Sequence, residues 1–261
     1  MRILMIGDIV GRSGRKAVME TLTTIRQELK LDIIVANGEN AAGGNGITSE
    51  IAKDFFGFGV DIITSGNHIW DKKEIISYID REPRLLRPAN YPSGTPGKGV
   101  GVYNINGFTV GVINLSGRVY MPDLDCPFKM ADVLINNMCQ QTNIILVDFH
   151  AEATSEKVAL SRYLDGRISA FVGTHTHIQT ADEKILSGGT AYITDLGMTG
   201  PYNSVIGVKV DLVLHKFTTQ MPVRFEVADG PYQFNAVVIE VDEETGKAES
   251  IDRVYNVEYL D

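Results

Sequence analysis

The sequence concentrates its reactive side chains at five points, each just after a short, mostly apolar run: Asp8, Glu39-Asn40, Asn67-His68, His150, and Thr174-His175-Thr176-His177. Four of the five histidines in the 261-residue chain belong to this set. Taken singly, each residue has an ordinary explanation. Asp8 can close a turn or cap a helix, Glu39 can be a solvated loop residue, and Asn40 can form an Asx turn. Asn67 can shape a turn, His68 can lie on the surface, and His150 can be a hydrogen-bonded core histidine. The pair His175-x-His177 is stronger, since two imidazoles two apart on an extended segment can meet neighbouring ions. The joint pattern outweighs its members, because five strand ends stopping independently in oxygen or imidazole donors is hard to obtain by accident. Carboxylate, carboxamide and imidazole donors without thiolate suit borderline divalent or trivalent ions such as iron, manganese or zinc. A magnesium site would prefer all-oxygen ligands, and a structural zinc site would want thiolates. Seven candidate ligands are too many for one open catalytic ion. Two transition-metal ions per chain, sharing a bridging carboxylate, would use them all.

Such donors must be carried by alternating strands and helices, because an open α/β sheet binds ligands beyond the carboxyl ends of its strands. The pattern predicts strands over 3–6, 33–36 and 62–64, with a turn over 7–11 after the first. Ser13 is expected to N-cap a helix reaching about Leu29, and Thr48 a helix over 48–56, although Ile51 stands where a capping box would want Glu or Gln. Residues 81–99, rich in Pro, Gly and Arg, read as loop. The runs 100–105 and 108–115 flank Asn106-Gly107, the strongest short hairpin signal. Helices are expected over 130–138 and 155–164, and strands over 144–149, 170–173 and 191–194. Two alternating runs, 234–241 and 248–257, give an antiparallel ending. No internal repeat or linker interrupts the chain, so a single domain over 1–261 is expected.

Composition bounds the function. With 24 Lys+Arg against 33 Asp+Glu, the formal charge is −9 and offers no general attraction to long nucleic acid. A small phosphorylated substrate is still compatible, since bound metal ions reverse the local charge. A hydrophobic fraction of 44% supports a sizeable core and excludes disorder. The two cysteines, Cys126 and Cys139, are too few for a disulfide framework, so free thiols and a cytoplasmic location are expected. The apolar run at the N-terminus has no cleavage site behind it, and no 18-residue apolar stretch occurs, so neither export nor membrane spanning is expected.

In order along the chain, Gly7-Asp8, Gly38-Glu39-Asn40, Gly66-Asn67-His68, His150 and Gly173-Thr174-His175-Thr176-His177 resemble the motifs of the calcineurin-like metallophosphoesterases. The stretches Gly7-Asp8-Ile9-Val10-Gly11-Arg12, 37–44 (NGENAAGG) and Gly66-Asn67-His68-Ile69-Trp70-Asp71 are similar to those of the YmdB-type bacterial subgroup. The resemblance covers the whole chain. It implies an α/β fold, a four-layer α/β/β/α sandwich, with one metal on Asp8, Glu39, Asn40 and His177. The other would take Glu39, Asn67, His150 and His175, with Glu39 bridging. Val10 stands where the broad superfamily usually has the histidine of Asp-x-His, and Asn40 would fill that vacancy, while the bridge is Glu39 where the superfamily usually has Asp.

Two ions about 3.5–4 Å apart would provide a hydroxide nucleophile and clamp the phosphoryl oxygens. His68, beside Asn67 but outside the ligand set, is the expected catalytic proton donor to the leaving oxygen, with Asp71 orienting its ring. The resemblance points to small phosphodiesters, 2′,3′- or 3′,5′-cyclic nucleotides, as substrates; homo-oligomer formation is left open. Arg12, Arg118 and Tyr202 are weighed as phosphate or base contacts, with an ordinary surface location the stronger expectation. Two other readings compete. A non-catalytic regulatory or adaptor protein could keep the fold, although its mark, a missing ligand, is absent. A Rossmann-type nucleotide-binding enzyme is suggested by Gly7-x-x-x-Gly11-x-x-Gly14, but the spacing is wrong and no Walker pattern exists.

Overall fold

Side chains alternate across the first strand, β1 (Arg2–Ile6), and both of its faces are apolar: Leu4 and Ile6 belong to one buried cluster, Ile3 and Met5 to another. A strand buried on both faces needs a layer on each side, and the rest of the chain supplies them. The computed structural model describes residues 1–258; the last three positions of the expected 1–261 unit lie outside the described residues.

After β1 come β2 (Asp8–Ile9), α1 (Gly11–Glu28), β3 (Ile33–Asn37), α2 (Ser49–Gly57), β4 (Ile62–Thr64) and α3 (Ile75–Ile79). The middle holds β5 (Val100–Ile105), β6 (Phe108–Ser116), α4 (Pro127–Met138), β7 (Ile144–His150), α5 (Thr154–Leu164), β8 (Ala170–Thr174), β9 (Lys184–Ile185) and β10 (Ala191–Ile193). The last part holds β11 (Met198–Pro201), α6 (Val210–Thr219), β12 (Tyr232–Val241) and β13 (Ala248–Val257). One sheet runs β2-β11-β12-β1-β3-β4, with β13 also on β12; the other runs β5-β6-β7-β8-β10-β9. In the first, β1, β3 and β4 are parallel, and in the second, β6, β7, β8 and β10 are parallel. The two sheets face each other across Ile3, Met5, Ile33 and Val35 on one side and Val110, Val112, Ile144 and Leu146 on the other. Their outer faces carry helices. Ala17, Val18, Leu22 and Phe55 cover the first sheet, and Ala131, Ile135, Leu160 and Leu164 cover the second. The layers are α/β/β/α.

Local chemistry sets most boundaries. Thr48 caps α2, its hydroxyl accepting the Ile51 N–H at 3.2 Å. Asn106 (φ 52°) and Gly107 (φ 88°) turn the β5–β6 hairpin with both central residues left-handed, as a tight two-residue hairpin requires. Ser13 does not cap α1: the helix starts at Gly11, with Val10 in the cap position, and the Ser13 hydroxyl donates instead to the Gly230 carbonyl. The Val10 carbonyl already accepts the Gly14 N–H, which draws the helix start forward. The expected turn after β1 contains the short strand β2, paired in parallel with β11. That pairing also explains the glycines that suggested a dinucleotide fold. A Cβ on Gly7 would strike the Gly197 carbonyl and one on Gly14 the Thr199 carbonyl, so both serve close packing against the β11 segment rather than a pyrophosphate. The Rossmann reading is thereby replaced. Among the described residues no helix is long and apolar enough to cross a membrane.

One buried ion pair ties α5 to the loop after β10. Lys157 Nζ and Asp195 Oδ2 lie 2.6 Å apart, both fully buried. Removing one partner of such a pair strands the other charge and costs about 3–5 kcal/mol. Lys157→Met is therefore expected to lower unfolding stability by that amount, read as a shifted midpoint in urea denaturation.

Candidate metal centre

Every residue anticipated as a ligand leaves the end of a parallel strand or the loop after it. Asp8 follows β1, Glu39 and Asn40 follow β3, and Asn67 follows β4. His150 ends β7, and His175 and His177 follow β8. Side-by-side parallel strands deliver their carboxyl ends to one edge, so the stacked sheets converge their donors from both sides. Asp8, Glu39 and His150 are wholly buried, an unusual fate for two carboxylates.

The centre of the cluster is His150 Nε2. It stands 3.0 Å from Glu39 Oε1, 3.0 Å from Asn67 Oδ1 and 3.0 Å from His175 Nδ1. One ring nitrogen carries at most one proton and cannot satisfy three acceptors. A cation between them can. Glu39, His150 and His175 each offer a donor atom within 4.8 Å of the others. A second group lies alongside: Asn40 Nδ2 is 3.1 Å from Glu39 Oε1 and 3.2 Å from His177 Nε2. A half-turn of the Asn40 amide presents its oxygen to the same space. Asp8 Oδ2 accepts the His175 N–H at 3.0 Å, whereas Asp8 Oδ1, buried, has no hydrogen-bond partner among the described residues. A buried carboxylate oxygen left without a donor is the clearest sign that these residues fit a metal ion.

Outer contacts fix the three imidazoles. His177 Nδ1 meets the Ile206 carbonyl at 2.9 Å, which makes it the protonated nitrogen and leaves the Nε2 lone pair facing Asn40. His175 Nε2 lies 3.1 Å from Glu152, leaving Nδ1 directed at His150. His150 Nδ1 meets Thr174 Oγ1 at 3.0 Å, and Thr174 donates on to Asp148 at 2.7 Å. Asp148, completely buried, also accepts from Thr64 and Asn37. Such partners orient histidine ligands in metal sites generally.

The His175-Thr176-His177 backbone is strained, with φ of 102° at His175 and 67° at His177. Each costs about 1–3 kcal/mol and persists only when the surroundings enforce it. Asp195 does so: it accepts the Thr176 N–H and hydroxyl while paired with Lys157. Asp148, Glu152, Lys157 and Asp195 were not singled out from sequence. The available signal was a charged residue inside an otherwise apolar strand or helix face.

The electrostatics point the same way. Burial pushes the Asp8 carboxyl up to about 6, against the pull of His177 and His150. Burial also opposes charge on Glu39, but His150 outweighs it and holds Glu39 down to about 2. For His150, burial alone would favour the neutral ring, yet Glu39 and Asp8 raise it to about 9. His175, half-buried and facing His150, is lowered to about 3 by desolvation first and by the His150 charge second. The cluster draws positive charge into its middle.

Around it opens a cleft of about 990 Å³ lined by Asn40, His175, His177, His68 and Lys72 among others. His68 Nδ1 is 2.9 Å from Asp71, the contact anticipated from sequence, and Nε2 has no hydrogen-bond partner among the described residues. Arg12, Arg118 and Tyr202 do not line the cleft; Lys72 and Arg224 do.

Two stacked sheets clad in helices, with histidine, carboxylate and carboxamide side chains gathered at their shared edge, define a metallophosphoesterase sandwich. The comparisons agree. The profile of the YmdB-like protein family matches residues 4–254, and the chain belongs to that family. A 2′,3′-cyclic-nucleotide 2′-phosphodiesterase from Bacillus subtilis (strain 168) is 52% identical over 254 residues, 97% of this chain and 96% of the relative. The crystal structure of a hypothetical protein from Thermus thermophilus has a TM-score of 0.93 at 41% identity, covering 99% of this chain and 100% of that one. The crystal structure of a novel phosphatase from Mycoplasma pneumoniae also has a TM-score of 0.93, at 33% identity, covering 98% of this chain and 93% of that one.

Gly66 admits the close approach of Glu39 and His150, since a Cβ there would collide with both. Gly66→Ala is expected to separate them, reducing retained metal in elemental analysis while leaving the far-ultraviolet circular dichroism of the fold in place.

Proposed function

We propose that the chain is a binuclear metal-dependent phosphoric diester hydrolase acting on small phosphodiesters, 2′,3′-cyclic nucleotides ahead of 3′,5′-cyclic ones. The whole of 1–261 is read as one metallophosphoesterase domain, cytoplasmic, where the free Cys126 and Cys139 stay reduced. The observation that carries this reading is the convergence of three acceptors on His150 Nε2 beside an unpartnered Asp8 oxygen. The 52% identity to a protein named a 2′,3′-cyclic-nucleotide 2′-phosphodiesterase supports the substrate class.

Asp8, Glu39, Asn40 and His177 would hold one ion, and Glu39, Asn67, His150 and His175 the other. Iron is the first candidate for both positions, with manganese or zinc as alternatives that the donor set equally admits. When bound, the pair supplies Lewis-acid stabilisation of phosphoryl charge and activates the attacking water. The chain's own residues do the rest. The imidazoles are locked by Thr174, Glu152 and the Ile206 carbonyl, so these three donors need no rearrangement. His68 hands a proton from Nε2 to the leaving ester oxygen as the P–O bond breaks, while Asp71 holds the ring through Nδ1. A water oxygen takes the place of that ester oxygen on phosphorus.

Occupancy tests the centre directly. Reconstituted protein should carry about two ions per chain by elemental analysis. Glu39→Gln should deplete both, whereas His175→Ala and His177→Ala should each deplete mainly one. Occupancy of one ion or fewer in the native chain contradicts the binuclear reading.

Removing a positioned general acid typically costs about 10²–10⁴-fold in rate. His68→Ala should lose cyclic-nucleotide turnover on that scale while keeping metal content and thermal stability. A nitrophenyl diester, whose leaving group departs without a proton, should be far less affected. Equal slowing of both substrates counts against proton donation, and loss of metal would move His68 into the ligand set.

A further inference from the structure

The cleft has an apolar wall for which the metal chemistry has no use. Two segments form it, joined by the antiparallel bridge between Val208 and Val227. Next to the bridge, the Lys209 N–H donates to the Glu226 carbonyl at 3.0 Å and Lys209 Nζ pairs with Glu226 at 2.6 Å. Phe225 lines the cleft with 50% of its surface exposed, and Ile206 does so with 49%. Exposed apolar residues scattered singly need no explanation. Here two stand on one wall, inside the cleft that holds the proposed ligands.

The wall is fixed relative to those ligands. The carbonyl of Ile206 itself accepts the His177 Nδ1–H. Gly11 and Gly44 make room for Val227, whose methyl groups a Cβ at either position would strike. Beside Phe225, Arg224 also lines the cleft, and its guanidinium attracts the Glu226 carboxylate on the same segment. The wall therefore offers an aromatic face, aliphatic contacts and a guanidinium, at a set position from the proposed metal ligands. A cyclic nucleotide carries what such a wall would receive: a flat base held away from its phosphate by a ribose.

We propose that Phe225 is the nucleobase platform of this site, with the base stacked on its ring and Arg224 next to it over the nucleotide. The inference rests on the phosphodiesterase reading above and names what the substrate carries beyond its phosphate. Stacking tolerates any base, because each has a π face, so adenine, guanine and pyrimidine nucleotides are all expected to bind.

The test compares wild type, Phe225→Ala and Phe225→Trp on 2′,3′-cyclic AMP and on glycerol 1,2-cyclic phosphate, a five-membered cyclic diester without a base. Loss of one stacked base corresponds to about 5- to 150-fold in affinity. Phe225→Ala should raise KM for the nucleotide by that factor, leave its kcat unchanged, and leave both parameters for the base-free diester unchanged. Phe225→Trp should restore the nucleotide KM. An unchanged nucleotide KM in Phe225→Ala overturns the platform, and so does an equal loss on both substrates. Wild-type protein that hydrolyses neither diester fails the phosphodiesterase reading instead. Equilibrium binding of adenosine 3′-phosphate then still reads the platform: weaker binding in Phe225→Ala supports it, and equal binding overturns it.

Discussion

Two carboxylates buried beside one another, Asp8 and Glu39, are the constraint to which the rest of the molecule answers. Charge of one sign cannot be enclosed in a low-dielectric interior unless opposite charge is brought to it. The chain brings His150, raised well above its ordinary value by that very pair. One imidazolium still leaves Asp8 Oδ1 without a donor and Glu39 sharing its partner with Asn67 and His175. The arrangement is under-compensated as built from protein alone. Much of the surrounding architecture keeps it from relaxing: the Thr174–Asp148 chain behind His150, the strained His175-Thr176-His177 turn, and the Lys157–Asp195 pair beneath it.

Much of the fold was legible because its strands are apolar on both faces and end abruptly in polar residues. The hairpin at Asn106-Gly107 and the cap at Thr48 follow from turn and cap chemistry that local sequence carries in full. What escaped was set by distant partners. β11 contains Gly200-Pro201 and has no strand-like pattern; it forms because β12 and β2 offer it edges. α6 carries Val210, Val213, Leu214 and Phe217 at helical spacing, but only Val213 of them is buried, so the stripe does not mark a core face. Ser13 has the chemistry of a cap, but Val10 reaches the helix start first.

The same division holds at the site. Donor residues announce themselves by type and by their place after strands, and all seven anticipated residues come to the cluster or its immediate edge. The residues that orient them do not. Asp148 sits in a run of valine, leucine and phenylalanine, and Lys157 on a buried helix face, where their charges are explained only by partners far along the chain. Nor do the cleft's cations follow from sequence: Arg12 and Arg118 are exposed elsewhere, while Lys72 and Arg224 reach the cleft through loop geometry.

The donors come from both sheets, and the contact between Asp8 and the His175 amide joins residues 167 positions apart. Neither sheet alone possesses a complete set. A nascent chain therefore lacks the full donor set until the residues after β7 and β8 have been made and packed against those after β1, β3 and β4. Closing so long a loop is slow compared with forming local contacts. Loading is postponed to the end of assembly, when the pocket's shape already exists, and a truncated product is left without a competent trap for metal ions.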